Sequence, residues 1–245
     1  MLSACRCVLP LLLFGACAQA GQLVLSSGTQ QRLLMELYTS EGCSSCPPME
    51  DYLNSFKTSD GLWETYVPAA FHVDYWDFLG WKDRFASPAF AERHRRHDAE
   101  GHVSTVYTPA LIVNGQAWRP GLAGGLPDVE KQAAGRFEVR VDDSRLTADY
   151  RPLEDQAGPF ELHVALLGMG LESNVTEGEN EGDTLVHEFV VIGFKTVPAK
   201  SGHWQTGLPA VLDSEGQPRA LAVWVTPAGS LKPLQAAGGY LASSD

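Results

Sequence analysis

Two cysteines, Cys43 and Cys46, stand two residues apart where a short apolar run gives way to a helix, and no other feature constrains this chain as much. Leu33-Leu34-Met35-Glu36-Leu37-Tyr38 has the length and composition of a buried strand and ends in the turn formers Thr39-Ser40-Glu41-Gly42. After the cysteines, Pro47 and Pro48 suit the first turn of a helix, where a missing N–H costs nothing. Met49, Tyr52, Leu53 and Phe56 then recur at helical spacing, with Glu50 and Asp51 early and Lys57 late, as the helix dipole favours. Cysteines so placed close a disulfide without moving the backbone, and the helix N-terminus favours the thiolate, the species that attacks. By analogy with such sites, Cys43 is expected to be the exposed nucleophile and Cys46 the resolving thiol. The two prolines subtract N–H donors from that helix end, so thiolate stabilisation should be weaker than in a motif without them.

The N-terminus sets the redox compartment. Arg6 precedes an apolar run over 8–14, and Ala18-Gln19-Ala20 offers a small-x-small cleavage pattern, so residues 1–20 read as a signal peptide and the protein as periplasmic or secreted. That run is too short to span a bilayer, and no later segment approaches ~20 uninterrupted apolar residues. Leu13-Phe14-Gly15-Ala16-Cys17 resembles a lipobox, which makes a lipid on Cys17 the one expected route to a membrane. Cys5 and Cys7 lie in the same segment, so Cys43 and Cys46 are all that remain of 5 cysteines. A bridge over so small a loop constrains the unfolded chain little, so the pair reads as chemical rather than as a scaffold staple. Without a second Cys-x-x-Cys to complete a four-cysteine zinc set, neither metal nor cofactor is expected. Thirty acidic against 18 basic residues, a formal charge of -12, exclude nucleic acid as a partner.

Further along, 67–73 reads as a second strand, followed by the aromatic loop Asp74-Tyr75-Trp76-Asp77-Phe78-Leu79-Gly80-Trp81. Ser87-Pro88 starts a helix that runs to Glu100 and stops at Gly101. Thr108-Pro109 leads into the strand Ala110-Leu111-Ile112-Val113, and Asn114-Gly115 turns it into Gln116-Ala117-Trp118. A helix over 128–134 closes an α/β domain at 30–135 with the order β-α-β-α-β-β-α. From 136 to 245 helix signals are nearly absent. Strands at 137–141, 160–167, 185–194 and 220–226 suggest a mostly β domain, an antiparallel sandwich or a partial barrel. Residues 172–183, acidic and rich in glycine, read as a mobile surface loop.

Cysteines at a strand-helix junction, with an X-Pro bond ahead of a later strand and hairpin, fit a thioredoxin-like domain. There a cis-proline faces the disulfide, so Thr108 and Pro109 become the expected substrate contacts. The stretches Glu36 through Pro48, Phe71-His72-Val73-Asp74-Tyr75-Trp76-Asp77 and Val106-Tyr107-Thr108-Pro109 resemble the secreted bacterial DUF1223 family. The resemblance runs from about Leu33 to the C-terminus and takes in Gly178-Glu179-Asn180 and His187; Tyr38 stands where that family more often has Phe. It implies a thioredoxin-like domain and an extracytoplasmic setting. It implies no reaction.

His72 and Asp74 fall at the sheet edge where the cysteines emerge, and offer an imidazole and a carboxylate for acid-base help, or else polar groups tied into a loop. His94 and His97 have chelating spacing, but Arg93, Arg95 and Arg96 surround them, so they read as a solvated basic face. His187 has no visible partner. The leading function is a thiol-disulfide oxidoreductase acting on a protein or small-molecule thiol or disulfide. One alternative is Cu(I) handling through the same cysteines with His72, which only 4 methionines do little to support. The other is a non-enzymatic binding module with a structural disulfide.

Overall fold

The computed structural model describes residues 22–120, 125, 132–212 and 218–241. The signal segment, Cys5, Cys7 and Cys17 fall outside the described residues, as does most of the helix expected at 128–134; Ala133, within them, forms an isolated bridge to Gln30.

The first half contains β1 (Leu23–Ser26), β2 (Leu33–Thr39), α1 (Pro47–Asn54), β3 (Tyr66–His72), α2 (Pro88–Ala99), β4 (Ala110–Val113) and β5 (Gln116–Trp118). From β2 onward this is the expected β-α-β-α-β-β order. The second half contains β6 (Arg136–Asp142), β7 (Arg145–Arg151), β8 (Phe160–Gly168), β9 (Leu171–Asn174) and β10 (Thr184–His187). It continues through β11 (Val190–Ala199), β12 (His203–Gly207), β13 (Pro218–Pro227) and β14 (Gln235–Tyr240). The protein is thus mixed α/β, with few helices and mostly strands.

The strands form three sheets, and the largest runs through both halves of the chain in the order β14-β13-β8-β11-β3-β2-β4-β5. β2 and β3 pair in parallel at its middle, and every residue of both is buried, because each face is covered. On one face Glu36 and Tyr38 reach α2, through Arg93 and the His94 ring. On the other, Thr39 reaches Glu50 of α1. The α2 face extends over the second half, where the Arg93 guanidinium lies over Phe194 and Trp224. His163 stacks on the same two rings and is bonded by the Thr196 and Thr226 hydroxyls at 3.0 Å each, which satisfies both nitrogens of a buried imidazole.

The opposite face of the second-half strands packs against the four-stranded sheet β1-β6-β7-β12. Phe137, Val139 and Val141 alternate inward there and share a core with Leu162, Val164, Leu166, Leu221 and Val223. This gives the second half a two-sheet layering, and no barrel closes among the described residues.

Residues 185–194, expected as one strand, are two. The chain turns at Glu188 and Phe189, the latter at φ 59°, so that β10 pairs with β9 as a separate hairpin while β11 joins the long sheet beside β3. Asn54 at the end of α1 fastens that hairpin, donating to Val186 O at 2.8 Å and accepting from Glu188 N at 3.1 Å.

Candidate functional site

β2 delivers the chain to the N-terminus of α1, where Cys43 and Cys46 are joined in a disulfide with Cα atoms 5.4 Å apart. Cys46 is the N-cap residue of α1, and Pro47 and Pro48 fill the first turn. The hydroxyl of Thr108 donates to Cys43 Sγ at 3.4 Å, and the Thr108-Pro109 peptide is cis. Ser45 Oγ lies 3.4 Å from the same sulfur. Trp76 donates its indole N–H to Thr108 Oγ1 at 2.7 Å and stacks against Phe78, which is 78% exposed, so an aromatic rim flanks the disulfide. The expectation of an exposed Cys43 fails: the residue is 1% exposed, while Ser44 and Ser45 face solvent.

The segment between β9 and β10 explains part of that burial. It is no loose loop. Asn180 is buried, and its amide donates to Glu41 O at 2.7 Å and Cys43 O at 3.2 Å. Glu179 accepts from the backbone N–H and the hydroxyl of Ser44 at 3.0 and 2.7 Å. The second half of the chain therefore completes the cysteine loop, and the acidic, glycine-rich composition that signalled mobility supplies the turns and acceptors for docking.

Beneath the disulfide lies a buried cluster of carboxylates and imidazoles. His187, at the end of β10, is bonded to Glu50 Oε2 through Nδ1 at 2.5 Å and to Glu41 Oε1 through Nε2 at 3.1 Å. It thus has two partners where the sequence offered none. Thr39 Oγ1 donates to Glu50 Oε1 at 2.5 Å, and Trp81 Nε1 to Glu41 Oε2 at 2.7 Å. His72, at the end of β3, bonds Asp83 Oδ2 through Nδ1 at 2.7 Å, and Asp83 also accepts from the backbone N–H groups of Glu41 and Phe85. The two imidazole rings sit 5.2 Å apart, and the remaining nitrogen of His72, Nε2, is buried without a partner.

The electrostatics follow from this enclosure. Burial alone would depress the basicity of His187, but the hydrogen bonds and charges of Glu41 and Glu50 prevail and raise its pKa to about 10. His72 is raised by the same contest, burial against Asp83. Burial would raise Glu50, but His187 holds it below the ordinary carboxylate range.

The structure thus brings together Cys43, Cys46, Thr108 and Pro109, and sets His72 in the cluster below. Asp74 is partly exposed, and the carboxylate on His72 is instead Asp83. His94 and His97 are not solvated: with Arg93 they form the buried face of α2, where Arg93 Nε donates to Glu36 at 2.8 Å and His97 Nδ1 meets His102 at 2.9 Å. Glu36, set in an otherwise apolar strand, gave no hint that α2 would need a buried cation. Glu41, Glu50, Asp83 and Asn180 were missed as site residues. Glu41 and Glu50 had one local signal, their position flanking the cysteines, Asn180 had its place in the family resemblance, and Asp83 had none.

Comparison with known proteins places this geometry. The family model described as "Protein of unknown function (DUF1223)" matches residues 34–226. No curated protein matches the chain. Among solved structures it is similar to protein AGR_C_4864 from Agrobacterium tumefaciens, at 21% identity and a TM-score of 0.58, over 88% of this chain and 94% of that one. It is also similar to HBP35 of Porphyromonas gingivalis, at 15% identity and a TM-score of 0.60, over 88% of this chain and 76% of that one. These likenesses show a shared fold.

Proposed function

The chain belongs to the DUF1223 family, and from that premise we propose that it is an extracytoplasmic thiol-disulfide oxidoreductase with a thioredoxin-like first half. The observation that carries this reading is the Thr108 hydroxyl on Cys43 Sγ, beside a cis Thr108-Pro109 bond. It sets the Thr108 side chain against the sulfur that a substrate would attack. In the oxidising direction a substrate thiolate attacks Cys43 Sγ, the Cys43–Cys46 bond breaks, and its electron pair leaves on Cys46 Sγ. A second substrate thiolate then attacks its own sulfur in the mixed disulfide and releases Cys43, so two electrons pass from substrate to protein. The reverse sequence reduces a disulfide, with Cys43 attacking and Cys46 resolving. The helix N-terminus favours the leaving thiolate. The N-terminal segment supports export, with lipidation at Cys17 as the route to a membrane, and the second half supplies the docking loop for the substrate thiol or disulfide.

The burial of Cys43 favours a second reading, a structural disulfide in a binding module. A trapping experiment separates the two. In a Cys46→Ala variant treated with glutathione disulfide, the first reading expects a stable glutathione adduct on Cys43, seen by intact mass and absent from Cys43→Ala. A folded Cys46→Ala protein that takes up no glutathione would leave only the structural reading.

A further inference from the structure

Three carboxylates, Glu41, Glu50 and Asp83, are buried around two imidazoles, an arrangement that calls for compensating positive charge. One candidate ligand atom from each of Glu50, His72 and His187 lies within 4.8 Å of the others, and all three residues are buried. The outer side of each imidazole is already committed to a carboxylate: His72 Nδ1 to Asp83 at 2.7 Å and His187 Nε2 to Glu41 at 3.1 Å. That leaves His72 Nε2, which has no partner, and His187 Nδ1, which faces Glu50 Oε2 at 2.5 Å. Metal-binding histidines are oriented in this way, one nitrogen on the ion and the other donating to a carboxylate. Glu50 is oriented likewise, by the Thr39 hydroxyl on its other oxygen.

We propose that Glu50, His72 and His187 form a binding site for a divalent transition-metal ion of borderline softness, of which Zn²⁺ is the natural probe. Two imidazoles and a carboxylate suit that class better than Cu(I), which prefers thiolates, or Ca²⁺, which wants an all-oxygen shell. Zinc–ligand distances of about 2.0–2.2 Å require the His187–Glu50 contact to open to about 3 Å, with the ion taking the place of the hydrogen between them. Three protein ligands leave a further coordination position open, the arrangement of sites that exchange water or substrate. The site lies under the cysteines, since Glu50 donates its backbone N–H to Cys46 O at 3.1 Å. None of its three ligands is a cysteine.

The test uses the chain with Cys43 and Cys46 held as the disulfide and with Cys5, Cys7 and Cys17 replaced by serine, stripped by chelator and titrated calorimetrically with Zn²⁺. The expected result is saturation at one ion per chain, weakened at least tenfold by His72→Gln or Glu50→Gln and tenfold to hundredfold by Asp83→Asn. X-ray absorption of the loaded wild-type protein keeps the proposal open to refutation should those variants unfold. It should show only nitrogen and oxygen neighbours at about 2.0–2.2 Å. Absence of uptake, a sulfur neighbour at about 2.3 Å, or folded ligand variants that bind as tightly as wild type would each overturn the site.

Discussion

Replacing Asn180 by alanine tests whether the β9–β10 segment holds the cysteine loop. The Asn180 amide donates to two backbone carbonyls of that loop, Glu41 O at 2.7 Å and Cys43 O at 3.2 Å, from a residue 5% exposed. A net hydrogen bond contributes about 1 kcal/mol, and a buried carbonyl left without a donor, as Glu41 O would be, costs about 1–3 kcal/mol, whereas Cys43 O keeps the Cys46 N–H at 3.0 Å. Removing both bonds should therefore cost about 2–3 kcal/mol, with the lower end applying if water reaches the vacated space. Urea unfolding of the oxidised protein measures the loss as a lowered midpoint at unchanged slope. Where the opening is local, 2 kcal/mol raises the open population about thirty-fold, and the disulfide should be reduced by dithiothreitol faster by up to that factor. A loss below about 0.5 kcal/mol with an unchanged reduction rate would mean that the segment does not secure Cys43 and that its burial has another cause.

Three further outcomes are expected. His94 is buried beneath Tyr38 and Tyr75, faced by His97 and Arg95 on its own helix and by Glu36 on β2; burial first, then His97, lowers its pKa to about 4. The unfolded chain therefore binds the extra proton between about pH 6.5 and 4, so stability should fall as pH drops through that window, by about 3 kcal/mol, and His94→Gln should flatten the slope in urea unfolding at graded pH. Arg93→Met strands the Glu36 carboxylate in the sheet and should cost about 3–5 kcal/mol by the same assay, with Glu36→Gln added to it recovering most of the loss. Thr226→Val leaves His163 Nε2 without its 3.0 Å partner and should lower stability by about 1–3 kcal/mol, whereas a loss near zero would show that the imidazole finds another bond.

What the sequence disclosed was what it encodes locally. The strand into Cys43, the prolines of α1, the Ser87 cap of α2 and the Asn114-Gly115 turn act over a few residues, and the first-half order could be read from them. The cluster around His187 could not, because Glu50 and Glu41 lie 137 and 146 positions away along the chain and meet it only once the hairpin docks on α1. Charge was misleading in the same way. Arg93, His94 and His97 look solvated until Glu36 is found on the strand they cover. Strands β1, β9 and β12 are four or five residues long, and β14, with Ala236, Ala237, Gly238 and Gly239, is built of residues with weak strand propensity that the sheet overrides, so none of them is legible in the sequence; β7, whose Leu146, Ala148 and Tyr150 alternate inward, carries a strand pattern that the sequence reading does not use.

The most direct test of the account is the redox equilibrium of the cysteine pair. The purified protein is held in glutathione buffers of graded potential and the state of Cys43 and Cys46 read by mass after alkylation. An exchanging catalytic dithiol should pass reversibly from disulfide to dithiol somewhere between about -120 and -270 mV, and the midpoint would fix whether it oxidises or reduces its substrate. A pair that stays oxidised below about -300 mV would be a structural disulfide, and the oxidoreductase reading would be contradicted.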